Sequence, residues 1–363
     1  MGFSSFHGNS EVIARLRGML ARDRFPHAVI IAGAEGSGKY TLAQMLAKAM
    51  NCLSPPPGEL PDFCGTCKNC VRIAEADDLE SRCAAAVEAR EALREADKKD
   101  TRIFVQTHPD VLIVPPDPPQ LMIKVDQVRH VIHEIYFRAS EGLRRVYIFT
   151  AAAFMKEAAN SLLKVLEEPP EYATLFLLAE NPGQLLPTIR SRCVTFQLAP
   201  LDRGEIERDL AHLHPEWKAA QRELVARLSE GAVGRARSFD LEGYTAARSD
   251  ALTMLKTAVQ GEDHGSLFQA TETYRAGTEG REKTDRLLRT LYSLLEDLMF
   301  LKANTPELVR NTDIASELKR LASTVDFNWI ATASQRVGEV ESGMRRNLLR
   351  SLSLDAMVAG LEK

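Results

Sequence analysis

Gly33-Ala34-Glu35-Gly36-Ser37-Gly38-Lys39-Tyr40 has the spacing of a phosphate-binding loop. In such a loop glycines let successive backbone N–H groups wrap phosphate oxygens, and the lysine adds a cation where a helix begins. The segment follows an apolar run, Ala28 to Ala32, and opens a helical pattern, which is the context the motif requires. The residue after the lysine should carry a hydroxyl for magnesium, yet it is Tyr40, and Thr41 lies one residue further, rotated by about 100° on the helix. Gly33, Gly36, Gly38, Lys39 and Thr41 are the candidate nucleotide contacts. Two readings stand: nucleotide binding without hydrolysis, or an architectural loop that joins strand to helix.

Val146 to Pro170, VYIFTAAAFMKEAANSLLKVLEEPP, outlines the strand and helix that accompany such a loop in nucleotide hydrolases. Phosphoryl transfer needs magnesium held by an aspartate and an attacking water oriented by a polar side chain. Where two acids should end the strand stand Thr150 and Ala151, so hydrolysis by this chain alone is not expected. Glu180 and Glu157 are the acids that a rival reading, an unaided ATPase, would have to use. Glu167 and Glu168 precede Pro169 and Pro170; adjacent carboxylates on a helix do not face each other, and the prolines end the helix there.

Cys52, Cys64, Cys67 and Cys70 form C-x11-C-x2-C-x2-C in a loop that also holds Pro55, Pro56, Pro57 and Gly58. Four thiolates at these spacings match a closed tetrahedral zinc site, structural because no coordination position is left open. The iron–sulfur alternative lacks the cysteine-proline that would complete its run, and disulfides do not suit a reducing compartment. Cys83 and Cys193 fall outside the cluster and read as buried thiols, and His130 and His133 read as surface residues of one helix face. In Pro187-Thr188-Ile189-Arg190-Ser191-Arg192-Cys193, Arg192 stands beside a strand; by composition alone it reads as an ordinary salt-bridged residue.

These residues need a scaffold, and the apolar runs supply one. Ala28 to Ala32, Asp110 to Val114, Val146 to Thr150, Thr174 to Leu178 and Cys193 to Gln197 alternate with helical patterns such as Val125, Val128, Ile132 and Ile135, which is the signature of a parallel α/β sheet. After Pro200 the strands stop. Asp202 to Phe239 reads as short helices, and from Glu242 onward the pattern is helical throughout, with Leu287, Leu291, Leu294, Leu298 and Leu301 on one stripe and Leu348, Leu352 and Leu354 near the end. Glu75 to Asp100 is rich in Ala, Glu and Arg with a thin stripe of Leu79, Cys83 and Val87, and reads as a solvated helical insertion, with a partner-binding arm as the alternative.

The 363 residues leave room for two or three domains, and 45% hydrophobic content suffices for real cores. No run is long enough to span a membrane and no basic, apolar leader is visible, so the cytoplasm is the expected compartment. A net charge of -4 argues against a free-standing DNA binder, including a zinc-dependent one.

His27-Ala28, the phosphate loop, the four cysteines, His108-Pro109-Asp110, the run Ala159 to Pro170 and Ser191-Arg192-Cys193 occur together in the order found in bacterial clamp-loader subunits of DNA polymerase III, which the chain resembles. The resemblance implies an AAA+ P-loop domain with a five-stranded parallel sheet at 1–199, carrying a zinc module at 51–71 and the helical insertion at 72–107, then a helical lid at 200–242 and an all-helical collar at 243–363. Within the family the chain resembles the delta-prime branch rather than the ATP-hydrolysing gamma/tau motor. The motor's strand-end acids fall at Thr150 and Ala151, its sensor threonine near Ala179 and Glu180, and its lid arginine at Gly234. What remains is Arg192, which the resemblance implies is an arginine finger supplied in trans to an adjacent motor subunit. It also implies a hetero-oligomer with gamma/tau and delta subunits, contact with the sliding clamp and primer-template DNA through the assembly, structural zinc, ATP or ADP in the phosphate loop, and no intrinsic catalysis. The alternative within the family is an active gamma/tau-like ATPase subunit.

Overall fold

The computed structural model describes residues 2–261, 264–274, 277–344 and 350–361. It divides into two compact units, Met1–Ile206 with Glu230–Arg235, and Glu207–Ser229 with Ala236–Lys363. Elements run in the first unit as α1 (Ser10–Ala21), β1 (Ala28–Ala32), α2 (Lys39–Asn51), α3 (Lys68–Ala74), α4 (Leu79–Glu91), α5 (Glu95–Asp100), β2 (Val105–His108), β3 (Val111–Val114), α6 (Val125–Glu134), β4 (Arg145–Phe149), α7 (Lys156–Glu167), β5 (Ala173–Ala179), α8 (Pro187–Arg190) and β6 (Val194–Gln197).

The fold is α/β around a mostly parallel sheet of six strands in the order β2-β3-β4-β5-β1-β6. All five apolar runs are strands of it. The expected count of five is corrected by β2, an edge strand antiparallel to β3. Its sequence, Val-Gln-Thr-His, is buried only at its two ends and forms no apolar run, so it reads as the tail of the insertion. The central strands are buried on both faces, and their continuous hydropathy hides a division by alternate residues. Val29 and Ile31 face one core with Leu42 and Leu46 of α2, whereas Ala28, Ile30 and Ala32 face another with Val128, Leu162 and Val165 of α6 and α7. Asp110, buried at the start of β3, accepts N–H groups of Ser140, Glu141 and Gly142 at 2.7–2.8 Å. Burial alone would raise its pKa, but these donors outweigh it and hold the carboxyl below the usual range.

The second unit is helical in its described residues. Helices α9 (Arg203–Leu213) and α11 (Val233–Arg237) are shared between the units, and α10 (Ala219–Leu228), α12 (Leu241–Gln260), α13 (His264–Glu272), α14 (Gly277–Lys302), α15 (Ala315–Thr324), α16 (Phe327–Met344) and α17 (Arg350–Ala359) belong to the second. Leu287, Leu291, Leu294 and Leu298 are fully buried and Leu301 packs beside them, as their 4-3-4-3 spacing requires. Near the C-terminal end Leu354 is buried and Leu352 is 60% exposed, since residues two apart lie about 200° apart around a helix. Leu348 lies outside the described residues. Asp297, buried on α14, accepts the backbone N–H of Arg310 and of Asn311 and the Asn311 side-chain amide, fixing the turn that leads to α15.

The insertion is two helices, α4 and α5, and is mostly solvated. Asp78 caps α4 by accepting the Ser81 N–H at 3.1 Å, and Leu79, Cys83 and Val87 are half-buried. Its anchor is polar. Arg90 is buried and pairs with Asp117, which is 0% exposed and has Lys124 Nζ at 3.7 Å and Arg102 Nε at 3.9 Å. The low exposure makes this carboxylate the counter-ion for three cations drawn from separate segments. Arg102 keeps Asp126 at 2.7 Å, but removing Asp117 leaves the buried Arg90 without its carboxylate, so Asp117→Ala is expected to lower stability by about 3–5 kcal/mol in urea denaturation. Wild-type stability in that variant would refute the anchoring role.

Candidate functional site

The phosphate loop leaves β1 at Gly33 and enters α2 at Lys39, so its backbone N–H groups collect at a helix N-terminus. Gly36 (φ 76°) and Gly38 (φ 88°) occupy the left-handed region that glycine adopts without strain. Lys39 Nζ donates to the carbonyls of Gly33 and Ala34, both at 2.7 Å, folding back over its own loop. Burial lowers the Lys39 pKa, with Glu180 and Glu35 opposing that shift and Arg235 adding to it. Glu180, one of the two acids of the unaided-ATPase reading, thus faces the lysine. Glu157 is exposed, in the first turn of α7. Thr41 is exposed on α2.

Tyr40, at the magnesium-ligand position, is committed elsewhere. Its hydroxyl donates to the Ala76 carbonyl at 2.5 Å and accepts from Gln44 at 2.6 Å, at the base of the insertion, and burial pushes its pKa up. Lys48, two turns along α2, adds a 2.6 Å pair to Asp77. At the end of β4, Thr150 uses its N–H to reach Val114 O at 3.2 Å, and Ala151 contributes only a methyl group. Neither supplies a carboxylate.

Gly234 N–H donates to Gly36 O at 2.8 Å, and a Cβ at Gly234 would come within 2.7 Å of that same oxygen. The position at which the resemblance places a lid arginine is therefore in backbone contact with the phosphate loop. Arg235, the next residue, was missed in the sequence because it follows a glycine-rich break. It lies against Gly36 and pairs with Glu230 at 3.4 Å.

The four cysteines converge. Cys52 ends α2, Cys64 and Cys67 flank a turn in which Gly65 has φ 73°, and Cys70 lies in the first turn of α3. Their sulfurs all lie within 4.8 Å of one another, and Cys52 and Cys64 are 3.6 Å apart. A tetrahedron with metal–sulfur bonds near 2.3 Å has edges of about 3.8 Å, so the donor set fits a metal ion. N–H groups of Leu53, Cys64 and Cys67 point at cluster sulfurs at 3.2–3.5 Å. Backbone donation from Thr66 and Cys67 brings the Cys64 thiol down to about 6, whereas burial raises Cys52 and Cys70. Cys83 and Cys193 stay outside, half-buried, with thiol pKa values raised by burial, Cys193 to about 12. His130 and His133 are exposed on α6.

Arg192 follows α8 and precedes β6. It is one-third exposed, donates to Thr188 O at 2.9 Å and pairs with Glu167 Oε1 at 2.5 Å. Glu167, read in the sequence as a helix-end residue, is thus also the arginine's partner, a contact between positions 25 apart that no local pattern reveals. Strands β1 and β6 are parallel with Val29 opposite Val194 and Ala32 opposite Gln197. The phosphate loop leaves the C-terminal end of β1 while Arg192 enters the N-terminal end of β6, which separates them by roughly 20 Å along the strands.

Residues 8–202 match the family described as DNA polymerase III, delta subunit. Among curated relatives, DNA polymerase III subunit delta' of Pseudomonas aeruginosa is 30% identical over 237 residues, covering 65% of this chain and 62% of the relative. Subunit delta' of Escherichia coli is 28% identical over 300 residues, covering 82% and 76%. Subunit tau of Escherichia coli is 27% identical over 264 residues, covering 71% of this chain but 36% of that protein. The chain thus spans about a third of the tau relative, and identity alone does not separate the two branches.

The geometry around Tyr40 makes a direct test. Tyr40→Thr, which restores the motif's hydroxyl, is expected to lower stability by about 1–3 kcal/mol through loss of the Ala76 contact and ring packing. It should confer no magnesium-dependent ATP hydrolysis on the isolated chain, because the strand-end acids are still missing. Turnover gained by this variant would contradict the account.

Proposed function

Because the chain belongs to the family described as DNA polymerase III, delta subunit, we propose that it is a non-hydrolysing subunit of a clamp loader, taking part in ATP-dependent loading of a sliding clamp during DNA replication. In this reading it assembles with gamma/tau and delta subunits and contributes Arg192 to the ATP site of an adjacent motor subunit. The observation that carries the reading is the polarity of the sheet: Arg192 and the phosphate loop lie at opposite ends of neighbouring parallel strands, so the arginine has no access to this chain's own nucleotide loop. A guanidinium is planar, permanently charged and suited to the charge spread over transferring phosphoryl oxygens. Supplying it from outside makes hydrolysis depend on assembly.

The rest of the chain fits this role. Tyr40, Thr150 and Ala151 leave no magnesium ligand or water-orienting acid at the usual positions. Gly33, Gly36, Gly38, Lys39 and Thr41 are proposed to bind ATP or ADP without turning it over. Zinc is the proposed metal of Cys52, Cys64, Cys67 and Cys70, which would hold it as four thiolates with a structural effect. The chain is proposed to divide at 1–199, 200–242 and 243–363 into P-loop, lid and collar parts, the collar joining the ring of subunits. No described helix is long and apolar enough to cross a membrane, in keeping with a cytoplasmic replication protein.

The Glu167 pair sharpens the test of Arg192. An exposed pair of this kind contributes little to stability, so the arginine can exchange Glu167 for phosphate at small cost. Arg192→Ala is expected to lower DNA-stimulated ATP turnover at the neighbouring site by roughly 10³-fold or more, with clamp loading falling alongside, while the complex still assembles. Unchanged complex activity would overturn the finger assignment. Magnesium-dependent turnover by the isolated chain, abolished by Lys39→Ala, would instead place it with the motor subunits.

A further inference from the structure

The residues beside the metal-ligand cysteines converge on one distant loop, Ser140 to Arg144, which leads into β4. Asn51, immediately before Cys52 and 1% exposed, accepts the N–H groups of Leu143 at 2.9 Å and Arg144 at 3.0 Å. Asn69, immediately before Cys70, donates to Glu141 O at 3.3 Å and to Asn51 O at 3.0 Å. Lys68 and Arg72, flanking Cys70 on α3, both grip the Glu141 carboxylate, at 2.8 Å and 3.0 Å. The approach is close: a Cβ at Gly142 would come within 2.2 Å of the Asn51 amide oxygen. Asp110 holds the same backbone from the sheet side. Beyond these anchors the loop carries Leu143, 74% exposed, an apolar side chain on a tightly pinned backbone.

We propose that the metal module is the fastener of this loop. Cys52 and Cys70 fix the ends of α2 and α3, and those ends carry Asn51, Lys68, Asn69 and Arg72; with the sulfurs joined through one ion, the four side chains keep a common geometry that matches the loop backbone. Without the ion the two helix ends separate and the loop loses its amide acceptors. The metal therefore sets the order of a surface loop that it does not touch. The inference rests on the cysteines being a metal site and is independent of Arg192.

Hydrogen exchange read by mass spectrometry on the full chain tests it, zinc-loaded and after chelation, with metal content measured on the same samples. Loss of zinc is expected to speed exchange at Leu143 and Arg144, whose N–H groups Asn51 accepts, roughly tenfold or more, the effect of removing such hydrogen bonds, while β5 keeps its protection. By reciprocity, Glu141→Gln should bind zinc several-fold more weakly than the wild type in equilibrium competition with a chelator, although it touches no ligand. Unchanged loop exchange after zinc loss overturns the proposal, as does equal loss of protection in β5, which would make the ion a fastener of the whole sheet. Unchanged zinc affinity of Glu141→Gln also overturns it. A chain that neither contains nor takes up zinc refutes the metal reading, and this inference with it.

Discussion

A parallel strand has a front and a back, and every strand from β3 to β6 points the same way. Loops that follow strands gather at one end of such a sheet, and residues that precede strands gather at the other. The phosphate loop is in the first group and Arg192 in the second. About six residues of register keep them apart whatever the side chains do, and the buried central strands make that distance rigid. An arginine placed there has two uses: to pair within its own surface, as it does with Glu167, or to face another molecule. The trans role proposed for it follows from the second.

Helix α2 carries the consequences along its length. Its first residue is the phosphate-loop lysine, its second is Tyr40, bound to the insertion's base, and the residue after its last is a cluster cysteine. In a hydrolase the second position would serve magnesium. Here the same helix face, through Tyr40, Gln44 and Lys48, holds the chain segment that follows the metal module. The loop geometry is retained while the position after its lysine is given over to packing.

Much of this was legible in sequence because it is local. Five strands were visible as apolar runs since buried parallel strands need no alternation. The cysteines were visible by spacing, and the missing acids by position beside a recognisable strand. What escaped is long-range or breaks the pattern. β2 is short and mostly polar, so it merged with the insertion. Arg90 with Asp117, Arg192 with Glu167, and Asn51 with the Leu143 and Arg144 amides are contacts between residues 25 to 93 apart, made by ordinary polar residues whose role depends on what the fold brings beside them.

In the proposed role the chain's own phosphate loop is dispensable for turnover in the complex whereas its arginine is not. The direct measurement is ATP hydrolysis by reconstituted clamp loader carrying, in parallel, Lys39→Ala or Arg192→Ala in this subunit. The lysine variant is expected to retain near wild-type turnover and the arginine variant to lose most of the turnover at one motor site. Loss with Lys39→Ala and retention with Arg192→Ala would contradict it.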